Sequence, residues 1–358
     1  MKKLLILAAP YKYYKGGSEY QYQLIEKELN NYFDIKYLFR YSKPLNNEKY
    51  ITYNYNFRKK YNRYNYSDTV KIYNLIKTFS PDIIYKRGLN YITAIGVYYA
   101  KKFNKKIIIH IASKRDLERF KIRSSKYIIN EFIDKKLIYY SIKNATKIIC
   151  QTNQQAKNLK KNFNINCDRV LPNFHPYPEE KIEKKHPIKV VWVANFKTIK
   201  QPAVFINLAN EFINRNNVKF IMIGKSAYNE WQNKLEKKIN RLNNLDYKGE
   251  LDNYEVNNIL ASSHIFINTS KYEGFPNTFI QSMLRQMPIL SLNINPDNIL
   301  HDNGIGFCTG SFENLVNKLN YLLENEDIMN AMGKKAYNFA IAKYSLKNIE
   351  TLHKLFIE

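Results

Sequence analysis

The densest run of residues able to do chemistry is Ser270-Lys271-Tyr272-Glu273-Gly274-Phe275-Pro276-Asn277-Thr278, which continues through Gln281 to Met283. It follows an apolar run at 264–268 and precedes a helical stretch reaching about residue 286. That order reads as a strand-loop-helix junction at the carboxyl edge of a sheet. Gly274 lets backbone approach a ligand, while Pro276 fixes the turn into the helix and leaves first-turn amide hydrogens to meet an anion. Glu273 then projects toward the ligand, and Gln281, eight residues later, could face it from beside the loop.

Three further places carry candidate groups. Gly16-Gly17-Ser18-Glu19 follows the first apolar run, and Ser18 with Gln21 has the spacing of an S-x-x-Q capping box that starts a helix. A plain helix N-terminus is the other reading of that segment. Trp192 to Pro202 runs from a strand end into a loop bearing Asn195, Lys197 and Lys200. His110 closes the run 106–111 at the carboxyl edge of an expected strand. It could donate a hydrogen bond to a ligand there or be a satisfied core histidine.

The run from Glu273 to Gln281 resembles the Glu-x7-Glu motif of glycosyltransferase family four, with Gln281 standing where the second Glu is usual. The resemblance implies that Glu273 contacts the donor sugar and that residue 281 accepts hydrogen bonds from the nucleotide ribose. An amide oxygen still accepts, but without the charge-assisted bond of a carboxylate. The segment after Trp192 is similar to the one in which an Arg, and a Lys five residues later, hold the donor diphosphate. Lys200 matches the Lys, Asn195 replaces the Arg, and Lys197 is placed to compensate. A fixed ammonium there would stabilise the leaving diphosphate without a metal. Gly16 and Gly17 look like the loop implied to approach diphosphate or sugar. Val170-Leu171-Pro172-Asn173, Ile223-Gly224 and Leu245-Asp246-Tyr247-Lys248-Gly249 resemble further family segments, Lys248 lying in the one implied to border the base. His110 stands where similar transferases place a His. The implied donor side is therefore Gly16, Gly17, Asn195, Lys197, Gly224, Lys248, Gly274, Phe275, Pro276, Asn277, Thr278 and Gln281, around Glu273, Lys200 and His110.

These residues need elements to hold them, and the chain alternates strand with helix. Apolar runs at 4–9, 34–39, 82–85, 106–111 and 147–151 are separated by helical stretches such as 18–30 and 124–144. A Pro- and charge-rich break spans 172–186, after which strands are expected near 190–194, 219–223, 264–268 and 288–292. The expectation is α/β: two Rossmann-like, doubly wound parallel-sheet domains of the GT-B type facing a cleft. Their bounds are set at 1–178 and 187–343, with 344–358 crossing back as a helix onto the first.

At 358 residues and 45% hydrophobic content, the chain can bury two cores. The three cysteines, Cys150, Cys167 and Cys308, have no pairing pattern, so neither a disulfide framework nor a zinc knuckle is indicated. Histidine spacing offers no metal site, and no metal or other cofactor is expected. The run 4–9 is too short for a signal-peptide core, and no stretch approaches the roughly 20 apolar residues that span a bilayer. Net charge is +26, yet residues 1–187 carry 38 Lys and Arg against 15 Asp and Glu, and 188–358 carry 19 against 16. A compositional bias would touch both halves, so the excess points to an anionic partner of the first half, either nucleic acid or an acidic membrane surface. The Tyr-, Asn- and Lys-rich stretch 50–66 could stack on bases, sit at lipid headgroups or be a polar loop.

The expected function is a retaining glycosyltransferase (hexosyl transfer) that moves a sugar from a nucleotide-sugar donor to a saccharide or lipid-linked acceptor in polysaccharide biosynthesis, of the lipopolysaccharide or capsule kind. Cytoplasmic localisation is expected, peripheral on the inner membrane face through the basic N-terminal domain, with no nucleic acid bound. The rivals are a catalytically inert partner subunit, which would explain Asn195 and Gln281, and a basic nucleic-acid-binding protein.

Overall fold

The computed structural model describes residues 1–42, 45, 47–53, 68–118, 128–225 and 229–358. Contacts divide these into two units, Met1–Asn173 with Lys347–Glu358, and Phe174–Leu346.

The first unit holds seven parallel strands, β1 (Lys2–Ile6), β2 (Phe33–Arg40), β3 (Tyr50–Tyr53), β4 (Ile83–Arg87), β5 (Lys106–Ile111), β6 (Lys147–Cys150) and β7 (Arg169–Val170). Their order is β3-β2-β1-β4-β5-β6-β7. Runs such as Lys-Ile-Ile-Ile-His-Ile in β5 are apolar at nearly every position because helices cover both sheet faces. Those helices include α1 (Gly17–Leu29), α2 (Thr69–Phe79), α3 (Tyr91–Lys102), α4 (Ile128–Asn144) and α5 (Asn153–Phe163).

The second unit repeats the plan with six parallel strands: β8 (Ile188–Val193), β9 (Val218–Ile223), β10 (Leu245–Tyr247), β11 (Ile265–Asn268), β12 (Ile289–Ser291) and β13 (Gly306–Cys308). Their order is β10-β9-β8-β11-β12-β13. Helices α6 (Pro202–Glu211), α7 (Asn229–Ile239), α8 (Asn253–Ala261), α9 (Asn277–Met283), α10 (Ile299–Asp302), α11 (Phe312–Glu324) and α12 (Glu326–Tyr344) connect and cover them. Trp192, Phe205 and Phe220 fill the core on one face of this sheet, and Phe266, Phe279 and Met283 the other. The last helix, α13 (Lys347–Ile357), belongs to the first unit, where the buried Phe356 ring meets Phe33 at 5.7 Å and Tyr85 at 5.3 Å.

The expected pair of doubly wound parallel sheets is therefore present, each reversing strand order once, between β1 and β4 and between β8 and β11. At such a reversal, neighbouring loops diverge above the strands' carboxyl ends and leave room for a ligand. Two local expectations are corrected. Helix α1 begins at Gly17 with Gly16 in extended backbone as its N-cap, and no side chain caps it. The Ser18–Gln21 box does not form, because Ser18 already lies inside the first turn. The Tyr-rich stretch 50–66 is not all loop, since its first four residues are strand β3; residues 54–66 fall outside the described residues.

Candidate functional site

Strand β8 ends in a loop whose short 3-10 turn, Thr198–Lys200, is followed by Gln201 in left-handed backbone and by Pro202 at the start of α6. Proline's fixed φ and missing amide hydrogen suit that first helical position. Two hydrogen bonds tie this loop to the segment leaving β11. Thr269 Oγ1 donates to the Lys200 carbonyl at 2.6 Å, and the Lys271 amide donates to the Ile199 carbonyl at 2.8 Å. Trp192, buried in β8, donates its indole N–H to Thr269 Oγ1 at 2.8 Å and fixes that hydroxyl's remaining role. The loops after the two strands flanking the sheet reversal are thus one stitched unit.

That stitching brings Lys200 and Glu273 together. Their side chains form an ion pair, and Ser270 Oγ donates to the same Glu273 oxygen at 2.8 Å. The two are mostly covered, with side-chain exposures of 24% for Lys200 and 15% for Glu273. Their attraction is less screened than on an open surface, yet both remain reachable. An acid and an ammonium held at a sheet reversal can act on a ligand with hydroxyls at one end and phosphate at the other. The carboxylate accepts from hydroxyls, and the ammonium meets negative charge.

Neighbouring loops are equally fixed. Phe196 donates to the Lys225 carbonyl at 2.8 Å, Gly224 to that of Gly249 at 2.7 Å, and Tyr247 Oη to that of Gly224 at 2.9 Å. Gly224 has φ of 137°, and a Cβ there would lie 1.9 Å from the Ala194 carbonyl oxygen, so only glycine fits. Asn195 and Lys197 are exposed on the loop after β8. Lys248 pairs with Asp246 at 2.7 Å, and Lys225 pairs with Glu250.

After β11, Gly274 is half-buried and Phe275 packs against Tyr344 at 5.0 Å. Pro276 is the N-cap of α9. The Asn277 side chain hydrogen-bonds His175, which burial holds neutral with a pKa of about 3; Thr278 is half-buried beside it. Gln281 is buried, its Nε2 donating to Asn253 Oδ1 at 3.0 Å and Asn257 Oδ1 at 2.9 Å. Arg285, one turn on, spends its guanidinium on Glu180 at 2.7 Å, the Gln281 carbonyl at 3.1 Å and the Asn257 carbonyl at 3.2 Å. The sequence reading missed Asn253, Asn257, Thr269 and the Arg285–Glu180 pair, and gave Ser270 no role of its own. Only Thr269 and Ser270, adjoining the Glu273 motif, carried any signal.

In the first unit, Gly16 and Gly17 stand after β1, beside that sheet's reversal. A Cβ on Gly16 would meet Glu19 Oε2 at 2.4 Å. Across the reversal, Asp116 accepts amide hydrogens from Ser113 at 3.0 Å and Ala112 at 3.3 Å, and burial raises its pKa to about 6. His110 is fully buried. Its Nε2 donates to the Leu171 carbonyl at 3.1 Å, and Nδ1 receives the Tyr85 hydroxyl at 2.8 Å and Arg87 Nη1 at 3.0 Å. Burial and the Arg87 guanidinium hold its pKa well below the ordinary histidine value. Both ring nitrogens are engaged within its own unit, which is the arrangement of a satisfied core histidine. Among the described residues, no group of three or more His, Cys, Asp or Glu could hold a metal.

Two parallel-sheet α/β units, each with one strand-order reversal, make up a GT-B fold. Residues 175–339, nearly the whole of the second unit, match the family described as glycosyl transferases group 1. Across the whole fold the chain is similar to sucrose-phosphate synthase from Thermosynechococcus elongatus, with a TM-score of 0.77, 14% identity, and 99% and 98% of the two chains covered. Among sequence relatives, a poly(ribitol-phosphate) alpha-N-acetylglucosaminyltransferase of Staphylococcus aureus is 25% identical over 226 residues, covering 60% of this chain and 45% of its own. A UDP-Gal:alpha-D-GlcNAc-diphosphoundecaprenol alpha-1,3-galactosyltransferase of Escherichia coli is 23% identical over 319 residues, covering 81% and 78%. The chain thus spans less than half the length of the staphylococcal relative.

Proposed function

We propose that this chain is a retaining glycosyltransferase that moves a sugar from a uridine diphosphate sugar to a phosphate-bearing saccharide or lipid-linked acceptor in surface-polysaccharide synthesis. The Lys200–Glu273 pair at the sheet reversal carries the reading. In the reaction the bond from the anomeric carbon to the diphosphate breaks, and a bond to the acceptor oxygen forms on the same face. The acceptor's proton passes to the departing phosphate oxygen. Lys200 releases Glu273 to meet the growing charge on the diphosphate, and Glu273 accepts hydrogen bonds from the sugar hydroxyls. Lys197 supplies a further diphosphate contact, Gln281 accepts from the ribose, and Lys248 borders the base. No metal enters the scheme, because the ammonium supplies the positive charge.

The acceptor class follows from charge. The relatives from S. aureus and E. coli are named for a ribitol-phosphate polymer and a diphosphoundecaprenol-linked sugar, both anionic. The basic half of this chain is its first. We place the protein at the inner membrane face, as a peripheral protein. Among the described residues, no helix is long and apolar enough to cross a membrane.

The test is thermal stability with uridine, guanosine and adenosine diphosphate sugars, joined to a donor-hydrolysis assay. A ligand that binds only the native state raises its apparent stability. A rise with a uridine diphosphate sugar, and hydrolysis lost in Glu273→Ala, are expected. No shift with any donor overturns the proposal.

A further inference from the structure

The first unit carries a surface to which the proposed transfer assigns no residue. Helices α2, α3, α4 and α5 lie beside one another, and α4 is flanked by a groove on each side. One, of about 580 Å³, is lined by Val70, Tyr73, Tyr98, Ile133, Leu137 and Tyr140 among others. The other, of about 520 Å³, includes Phe132, Ile138, Tyr139 and Phe163. Between and around the grooves, large apolar side chains stand in solvent: Ile129 is 71% exposed, Val70 69%, Tyr98 50%, Tyr139 50% and Phe132 48%. Scattered single apolar residues are ordinary on a soluble surface, but a contiguous set opening onto apolar grooves marks an interaction face.

The charge around this face indicates what covers it. The four helices contain ten lysines, and their acidic residues are Glu131 and Asp134 alone. Several lysines lean on the exposed rings, with Lys136 4.6 Å from the Phe132 centroid, Lys143 5.6 Å from Tyr139 and Lys102 5.8 Å from Tyr98. A second copy of so basic a face would be repelled. Lysine heads on apolar stems, tyrosines with one wet end and grooves whose walls are largely apolar, the smaller edged by Glu118, Lys135, Lys136 and Asn162, suit the boundary between lipid headgroups and hydrocarbon.

We infer that the α4 face of the first unit docks on an anionic lipid bilayer, with lysines at the headgroups, Ile129 and Phe132 in the acyl region and a lipid chain in the adjoining groove. This deepens the proposed function, resting on its placement of the protein at a membrane.

The test sediments the full chain with vesicles of phosphatidylcholine alone or mixed with phosphatidylglycerol, and measures donor hydrolysis on the same preparations. The parent is expected to bind mixed vesicles and not neutral ones. Ile129→Ser with Phe132→Ser should weaken binding about tenfold. Lys136→Gln with Lys143→Gln should weaken it about fivefold per lysine. All four positions are exposed, so melting temperatures and donor hydrolysis should match the parent. The inference is overturned if the parent ignores anionic vesicles, if the apolar pair binds as the parent does, or if the parent is a dimer that the apolar pair dissociates. Vesicle binding as expected with no donor hydrolysis would leave the docking face standing and sink the transferase reading instead.

Discussion

The two units share one plan and use it differently. At the reversal of the second sheet, Trp192, Thr269 and Lys271 lock two loops so that Lys200 and Glu273 meet. In the first sheet the buried polar groups, His110 and Arg87 among them, bind one another, and the distinctive chemistry lies on an outer layer of helices. A rigid edge suits a small ligand that must be positioned to a fraction of an ångström, whereas a broad basic face suits a large anionic partner.

The sharpest way to break this contrast is Glu273→Ala. Transfer and donor hydrolysis should fall about 1000-fold while vesicle binding stays unchanged; initial rates and sedimentation check both. Lys200→Ala should cost about 100-fold in kcat, with Lys200→Arg recovering part of it, since the charge returns with different geometry. Gly224→Ala presses a methyl group onto the Ala194 carbonyl and should lower stability by about 2 kcal/mol, read as a drop in Tm.

Acid should separate the units more gently. His175 and His264 are held neutral by burial, with pKa values of about 3 and 4. An unfolded chain protonates them near pH 6.5, so each contributes stability above that pH that is lost as pH falls toward its folded value, at up to about 1.4 kcal/mol per unit. In the first unit His110 acts in the same direction, but Asp116 opposes it. Its raised pKa of about 6 favours the fold as pH drops toward the ordinary carboxylate range. Amide-exchange protection, corrected for the intrinsic rate at each pH, should therefore fall more in the second unit between pH 7 and 5. The smallest effect expected is Gln281→Glu, which places a carboxylate beside Asn253 and Asn257 and should lower KM for the donor about threefold.

Both sheets were legible in the sequence because buried parallel strands are written as short runs of β-branched and aliphatic residues, as at Ile107, Ile108 and Ile109. The meeting of Lys200 with Glu273 could be anticipated only from the motif, since 73 residues separate them. Strand β13 went unread because Gly306 heads a three-residue run with weak strand preference. Gly306 is present because a Cβ would strike the Ile289 carbonyl at 2.0 Å, a tertiary reason that periodicity does not carry. The capping box failed because the N-cap of α1 is Gly16, two residues before Ser18. The partners of Gln281 were invisible, since Asn253 and Asn257 reach it from another helix.

Helix α13 has a consequence for how the molecule is born. Its ring Phe356 completes the hydrophobic interior around Phe33 and Tyr85, so those early strands wait for a helix translated after the whole second unit. The later-synthesised unit is contiguous and can fold as soon as it leaves the ribosome. Maturation on the ribosome then runs against the order of translation, the first unit closing only after the second has been made.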